Sequence, residues 1–284
     1  MPKLFAFLLF TSVCVVWFAA AHAQESGTRL PSTCMAVADS GPTIIQANAR
    51  VRFAQSLQPT QAHIKYVGHS SFLIEDPKGL KIVTDYSGFA GPDVIPDVVT
   101  MNHAHSTHFT IAPDPRIPHV LRGWRSDGSP ARHFLQIGET LIRNVTTDIN
   151  NQFAGYEPDG NSIFIFEMAG LCIGHLGHLH HLPTEGHYAQ IGRLDILMVP
   201  VDGGYTMSVQ DMSKVVRRLR ASMILPMHWF GAYSLERFLA EIRGGFPVEM
   251  RTTSSLEVSL NTLPVQPTVI VLQPASSFGY FDAD

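Results

Sequence analysis

Three histidines stand on one short stretch, Met101-Asn102-His103-Ala104-His105-Ser106-Thr107-His108, directly after an apolar run, Val98-Val99-Thr100. Neutral imidazole is the commonest protein ligand for first-row metals, and ligands close in sequence can converge on one ion at little ordering cost. Five more histidines fall between His175 and His187, and His228 sits in Leu-Pro-Met-His-Trp. Each of these segments follows a strand-like run. A metal centre at strand ends is the first chemical expectation.

The elements that would carry it are short apolar runs between turn sequences. His63–Val67 alternates as a half-buried strand, and Phe72–Ile74 and Lys81–Thr84 flank the turn Asp76-Pro77-Lys78-Gly79 as a hairpin. Val98–Thr100 delivers the histidine loop. Residues 111–131, rich in Pro, Arg, Gly and Asp, read as a long loop or short helix. Strands are expected at 133–137 and 140–145, followed by a polar loop around Asp148, Asn150 and Gly155, then a hairpin of 162–166 with 171–173. Asp195–Pro200 is apolar without alternation, as in a strand buried on both faces. Two helices are expected late, one capped by Ser208 and one starting at Ser234 and stopped by Gly244-Gly245. Between them Met223–Leu225 delivers His228. Runs at 248–251, 256–260 and 268–272 would finish a second sheet. Strands dominate, with helices late in each half, which suggests layered sheets with outer helices.

The chain has 284 residues and a formal charge of −4. It opens with Lys3, an apolar run from Leu4 to Ala20 and the small-residue exit Ala21-His22-Ala23, the pattern of a secretory signal peptide. Cleavage after Ala23 would leave 284 − 23 = 261 residues and a charge of −5, and would place the protein in the periplasm or outside the cell. Contact with a membrane is then expected only through the uncleaved segment. Residues 24–60 read as an N-terminal extension with a helix near Ile44–Leu57, residues 61–275 as one domain, and 276–284 as a tail. There is no basic stripe, so nucleic acid is not an expected partner, and a small-molecule substrate is. Cys34 and Cys172 leave a disulfide open, although the apolar run Leu171-Cys172-Ile173 also suits a buried small side chain.

Taken in order, Val67-Gly68-His69-Ser70-Ser71-Phe72, Ile82-Val83-Thr84-Asp85, Asn102-His103-Ala104-His105-Ser106-Thr107-His108, His175-Leu176-Gly177-His178, Pro200-Val201-Asp202-Gly203-Gly204 and Pro226-Met227-His228 resemble the metallo-β-lactamase superfamily. The branch they look most like contains ascorbate-6-phosphate lactonase and related Zn-dependent hydrolases. The resemblance implies an α/β fold, a four-layer αββα sandwich, with ligands on loops at one sheet edge. It implies metal ligation by His103, His105, His108 and His228, with Asp85 supporting the site from behind and His69 turned toward the pocket; His178, in the histidine-rich 175–187 stretch, is the favoured further ligand, with His180 next. Asp202 could orient a ligand histidine or merely cap its turn, and Gly203–Thr206 could offer backbone N–H groups to an anionic substrate or be an ordinary turn.

Three departures bear on mechanism. Thr107 stands where the family's motif has Asp, and His178 where the family has a bridging Asp. Asp148 is the nearest strong ligand where the family has a further histidine. A mostly neutral ligand set favours one firmly held ion, zinc by default with Fe or Mn also suited, and a second only with help from Asp148 or substrate. The expected activity is hydrolysis by a metal-activated water at a carbonyl (lactone, ester or amide) or phosphoryl centre. His69 and Asp148 are then the candidates for proton transfer. The alternative is a non-catalytic periplasmic metal-binding or sensing protein on the same fold.

Overall fold

The computed structural model describes residues 31–35, 61–151 and 155–276. The expected signal segment, the helix near Ile44–Leu57 and the tail from residue 277 lie outside them. Among the described residues, no helix is long and apolar enough to cross a membrane.

Two sheets face each other. The first sheet is built from β1 (Ala62–Gly68), β2 (Ser71–Glu75), β3 (Lys81–Val83), β4 (Val98–Met101), β5 (His119–Arg122) and β13 (Ser255–Val258), ordered β13-β1-β2-β3-β4-β5. The second contains β6 (Phe134–Ile137), β7 (Thr140–Asn151), β8 (Gly155–Met168), β9 (Leu171–His175), β10 (Ile196–Pro200), β11 (Met223–Met227), β12 (Val248–Met250) and β14 (Thr268–Val271), ordered β12-β14-β11-β10-β9-β8-β7-β6. The helices are α1 (Glu185–Ile191), α2 (Val209–Leu219) and α3 (Ala232–Ile242).

Alternation in the first sheet explains the layering. Ile64, Tyr66, Phe72, Ile74, Ile82 and Val98 enter the large core shared with the second sheet. Their neighbours Val67, Leu73, Val83, Val99 and Met101 form a smaller core on the opposite face, closed by Tyr86, Phe89, Ile95, Phe109, Ile117 and Trp124. The closing residues on that face lie in loops. The two-sheet sandwich itself is as expected. Strands β10 and β11 are wholly buried and pair in parallel, as the unbroken apolar run at 195–200 requires.

Several boundaries differ from the sequence reading. The polar stretch around Asp148 is not a loop: β7 and β8 form one long antiparallel hairpin with a register shift between Thr147 and Ile149. Its polar residues lie beyond the core, where cross-strand pairing and not burial holds the strand. Strand β5 inside 111–131 was not expected, nor was α1. That helix starts at Thr184, which caps the His187 N–H while the His187 ring accepts from the Thr184 N–H. Helix α2 begins as expected, with the Ser208 side chain accepting from the Asp211 N–H. Helix α3 starts earlier than Ser234, at Ala232 after Gly231. Of the three last strands, β12 and β14 join the second sheet, but β13 pairs with β1 in the first.

Cys34 and Cys172 form a disulfide, with Cα atoms 5.9 Å apart, so Cys172 is not the free small hydrophobe its surroundings suggested. The segment around Cys34 is fastened as well by Glu167, which accepts from the Ser32 hydroxyl and the N–H groups of Thr33 and Cys34. Glu167 is itself paired with buried Arg143.

Candidate metal centre

Strands β1 and β3 run the same way because each is antiparallel to β2, and β4 is parallel to β3. In the second sheet β9, β10 and β11 are parallel. The C-terminal ends of these strands carry His69, Asp85, the 103–108 loop, His178, Asp202 and His228. The chain direction thus gathers six sequence segments at one edge.

At that edge, ring nitrogens of His69, His105, His108 and His228 all lie within 4.8 Å of one another. His108 Nε2 is 3.1 Å from His228 Nε2, and His105 Nε2 is 3.1 Å from His178 Nε2. His108, His178 and His228 are fully buried. The other nitrogen of each ring is held from outside the cluster. His108 Nδ1 lies 2.5 Å from Asp85 Oδ2, and His228 Nδ1 lies 3.0 Å from Asp202 Oδ1. His178 Nδ1 is 2.8 Å from His180 Nε2, and His105 Nδ1 is 2.8 Å from Thr107 Oγ1.

With ionised carboxylates behind them, the His108 and His228 Nδ1 atoms donate, and a ring with its single proton there carries a lone pair on Nε2. Two such lone pairs facing each other across 3.1 Å repel unless a proton or a metal ion lies between them. Two imidazole nitrogens bound to one tetrahedral ion at about 2.0–2.1 Å would be about 3.3 Å apart. The residues therefore fit a metal, and the carboxylate-to-histidine bonds behind them are those that orient metal-bound imidazoles.

Electrostatics agree. Burial, with the neighbouring His228 and His105, pushes His69 down to about 2, and burial pushes His105 and His180 to about 4. Burial also drives His108 and His178 well below the ordinary range. These rings are neutral at pH 7, the form that ligates. Burial pushes Asp85 up to about 8, against bonds from Asn102 and Ser70. With no cation bound, burial thus favours a protonated Asp85 beside a neutral His108, and a cation at His108 Nε2 would favour the carboxylate. Burial alone would raise Asp202, but bonds from His228, Thr206 and the Gly204 N–H outweigh it and hold the carboxyl well below the usual range.

Backbone strain is concentrated here too. His69, Asp85 and His228 all have positive φ, at 51°, 43° and 59°. Non-glycine residues in that region cost roughly 1–3 kcal/mol each and persist where their surroundings hold them.

The other site candidates fall in different places. His103 is not in the four-histidine group. Its Nδ1 lies 2.7 and 2.8 Å from the two carboxylate oxygens of Glu157, and its ring stacks on Trp124 at 4.7 Å. Asp148 is also apart, accepting from the Tyr156 hydroxyl and the Asp159 N–H. Asp202 both orients His228 and caps its turn. Its Oδ2 takes the N–H groups of Gly204, Tyr205 and Thr206, so the Gly203–Thr206 turn is used internally and does not present those groups to a substrate. His175 is a satisfied core residue: Nε2 donates to the Ser70 carbonyl and Nδ1 accepts from the Gly177 N–H.

Two supporting residues were not singled out from sequence. Asn102 donates to Asp85 Oδ1 and accepts from the Ser162 N–H, tying the loop to β8. Asn161 accepts from the His178 N–H. Between them sits Gly177 at φ 60°, where a Cβ would come within 2.4 Å of both amides. His178 is aimed by that close approach.

Comparison with known proteins gives the same picture. Residues 63–228 match the family model described as "Beta-lactamase superfamily domain". A UPF0173 metal-dependent hydrolase from Methanoregula boonei is 24% identical over 217 residues, covering 70% of this chain and 94% of that protein. A UPF0173 protein from Pyrococcus furiosus is 26% identical over 192 residues, covering 60% and 84%. Among solved structures, a Thermotoga maritima protein assigned to the Zn-dependent hydrolases of the metallo-β-lactamase superfamily aligns with a TM-score of 0.56 at 27% identity, over 74% of this chain and 98% of that one. These matches do not extend to the narrower likeness to the ascorbate-6-phosphate lactonase branch. The chain belongs to the metallo-β-lactamase superfamily.

Proposed function

We propose that this protein is an exported, metal-dependent hydrolase of small carbonyl substrates, namely lactones, esters or amides. The observation that carries the reading is the pair of facing Nε2 atoms on His108 and His228, each ring anchored by a buried carboxylate. His105 and His178 form a second facing pair at the same edge. His105, His108 and His228, which belong to the compact histidine group, would hold one divalent ion, with zinc the natural choice for an imidazole set. When bound, such an ion supplies Lewis acidity and lowers the pKa of water.

The chain's own residues do the rest. Phe230 lies 5.1 Å from His228 and 5.5 Å from His69, and half-exposed Tyr205 lies 5.3 Å from Phe230. That aromatic wall suits an apolar part of a substrate and excludes water beside the histidines. The charged group acting most strongly on His69, His105, His178 and His180, apart from other histidines, is the anionic Asp202. With Thr107 in place of a carboxylate, the half-exposed pair of His103, on the same loop, and Glu157, on β8, is the acceptor suited to take a proton.

The Cys34–Cys172 disulfide supports export, since such bonds persist in oxidising compartments. It agrees with the signal-like residues 1–23.

A panel of lactone, ester, amide and phosphodiester substrates tests the reading, assayed with the metal-loaded and the chelator-treated protein. Chelator-sensitive turnover of a carbonyl substrate is expected, abolished by His108→Ala. Metal binding with no turnover on any member would leave a metal-binding protein and not an enzyme.

A further inference from the structure

We propose that His69 is itself a metal ligand, bound through Nδ1, and that Thr107 is the residue that makes that nitrogen available. The proposal rests on the reading of this edge as a metal centre.

His69 is 2% exposed, and its ring lies 4.2 Å from His228, 5.2 Å from His108 and 5.8 Å from His105. Its Nδ1 has no hydrogen-bond partner among the described residues. An unsatisfied buried polar atom costs about 1–3 kcal/mol, so it calls for a partner of some kind.

Proton placement says which kind. Thr107 Oγ1 lies 2.8 Å from both His69 Nε2 and His105 Nδ1. His105 turns its Nε2 to His178, so for ligation its proton sits on Nδ1 and is donated to Thr107. A hydroxyl oxygen can accept two hydrogen bonds and donate one. If Thr107 donated to His69 Nε2, the His69 proton would sit on Nδ1 as a buried donor with nothing to bond. If His69 Nε2 donates to Thr107 instead, Nδ1 carries a free lone pair on a ring that packs against His228, His108 and His105. Only the second arrangement gives all the rings the same task. Thr107 then holds two imidazoles at once, one by each lone pair of its oxygen.

The backbone provides an independent observation. His69 sits at φ 51° after Gly68 at φ 152°, where the β1–β2 register shifts. Its carbonyl is pinned by the Tyr66 hydroxyl at 2.6 Å and the His228 N–H at 2.7 Å. A histidine needed only to fill the core would not require a left-handed backbone locked to His228, another ring of the same cluster. The resulting set is all imidazole, which selects a first-row divalent ion such as zinc over calcium or magnesium.

The test is X-ray absorption spectroscopy and chelator competition on the zinc-loaded protein and its variants. His69→Ala should lose one imidazole from the metal shell and weaken zinc binding at least tenfold. Thr107→Val should weaken zinc binding about 10- to 100-fold, and Thr107→Ser should restore it. Unchanged imidazole count and affinity in folded His69→Ala would overturn the proposal, leaving His69 to proton transfer. If His69→Ala does not fold, His69→Gln gives the same readout. Wild-type protein that takes up no zinc would instead bring down the underlying reading of the site.

Discussion

His108 and His228 aim their Nε2 atoms at each other across 3.1 Å while Asp85 and Asp202 hold them from behind. The two rings come from different sheets, one after β4 and one after β11. Bringing them together is what the sandwich does for this site.

The carboxylates should tune the metal without touching it. Asp85→Asn and Asp202→Asn should each weaken zinc binding about 10- to 100-fold while leaving one ion per chain at saturation. Competition with a chromophoric chelator measures this. Affinities equal to wild type would mean that the rings need no orienting partner.

His103 should behave differently from its neighbours on the loop. Since its Nδ1 is bonded to Glu157 and its ring lies on Trp124, His103→Ala should retain zinc but lower kcat about 100-fold or more. Metal analysis beside steady-state kinetics separates the two effects. Loss of zinc in this variant would return His103 to the ligand set.

Much of this was legible in the chain. The strand runs and the ordered histidine segments are local patterns, and they located the edge and most of the cluster. Selection among the histidines was not local. His103 and His105 share a loop, yet only long-range partners, Glu157 for one and His178 for the other, decide which ring faces the cluster. His175 and His178 sit three residues apart, and the bond to the Ser70 carbonyl makes the first a core residue. Asn102 and Asn161 gave no signal because their task is to satisfy buried backbone on other strands. The long β7–β8 hairpin was hidden because cross-strand bonds, not an apolar pattern, define its outer part.

Acid should weaken the metal-free protein. Burial holds His175 down to about 4, against an unfolded value of about 6.5. The unfolded chain takes up the proton first, so this contribution is complete above pH 6.5 and is lost as pH falls toward 4, about 3 kcal/mol in all. Asp85, pushed up by burial, acts in the opposite sense, so comparison with His175→Gln isolates the effect. Urea unfolding at pH 7, 6 and 5 should show a shallower decline in the variant. Parallel declines would contradict the assignment.

The disulfide closes a separation of 138 residues, and the chain-entropy argument gives it up to about 5 kcal/mol. Cys34→Ser with Cys172→Ser should lower stability by about 2–5 kcal/mol while leaving zinc affinity within about threefold, because the bridge joins β9 near its N-terminal end, away from the histidine edge at the strand's C-terminal end. Thermal unfolding with and without reductant reads the first quantity, and chelator competition the second. Equal Tm values would mean that Glu167 and Arg143 alone fasten the N-terminal segment.

The central claim is that this histidine edge is built for a cation, and zinc titration of chelator-stripped protein by calorimetry tests it most directly. The account predicts about one tightly bound equivalent per chain, lost in His108→Ala and in His228→Ala. Wild-type protein that binds no zinc, or binds it as well without either ring, would contradict it.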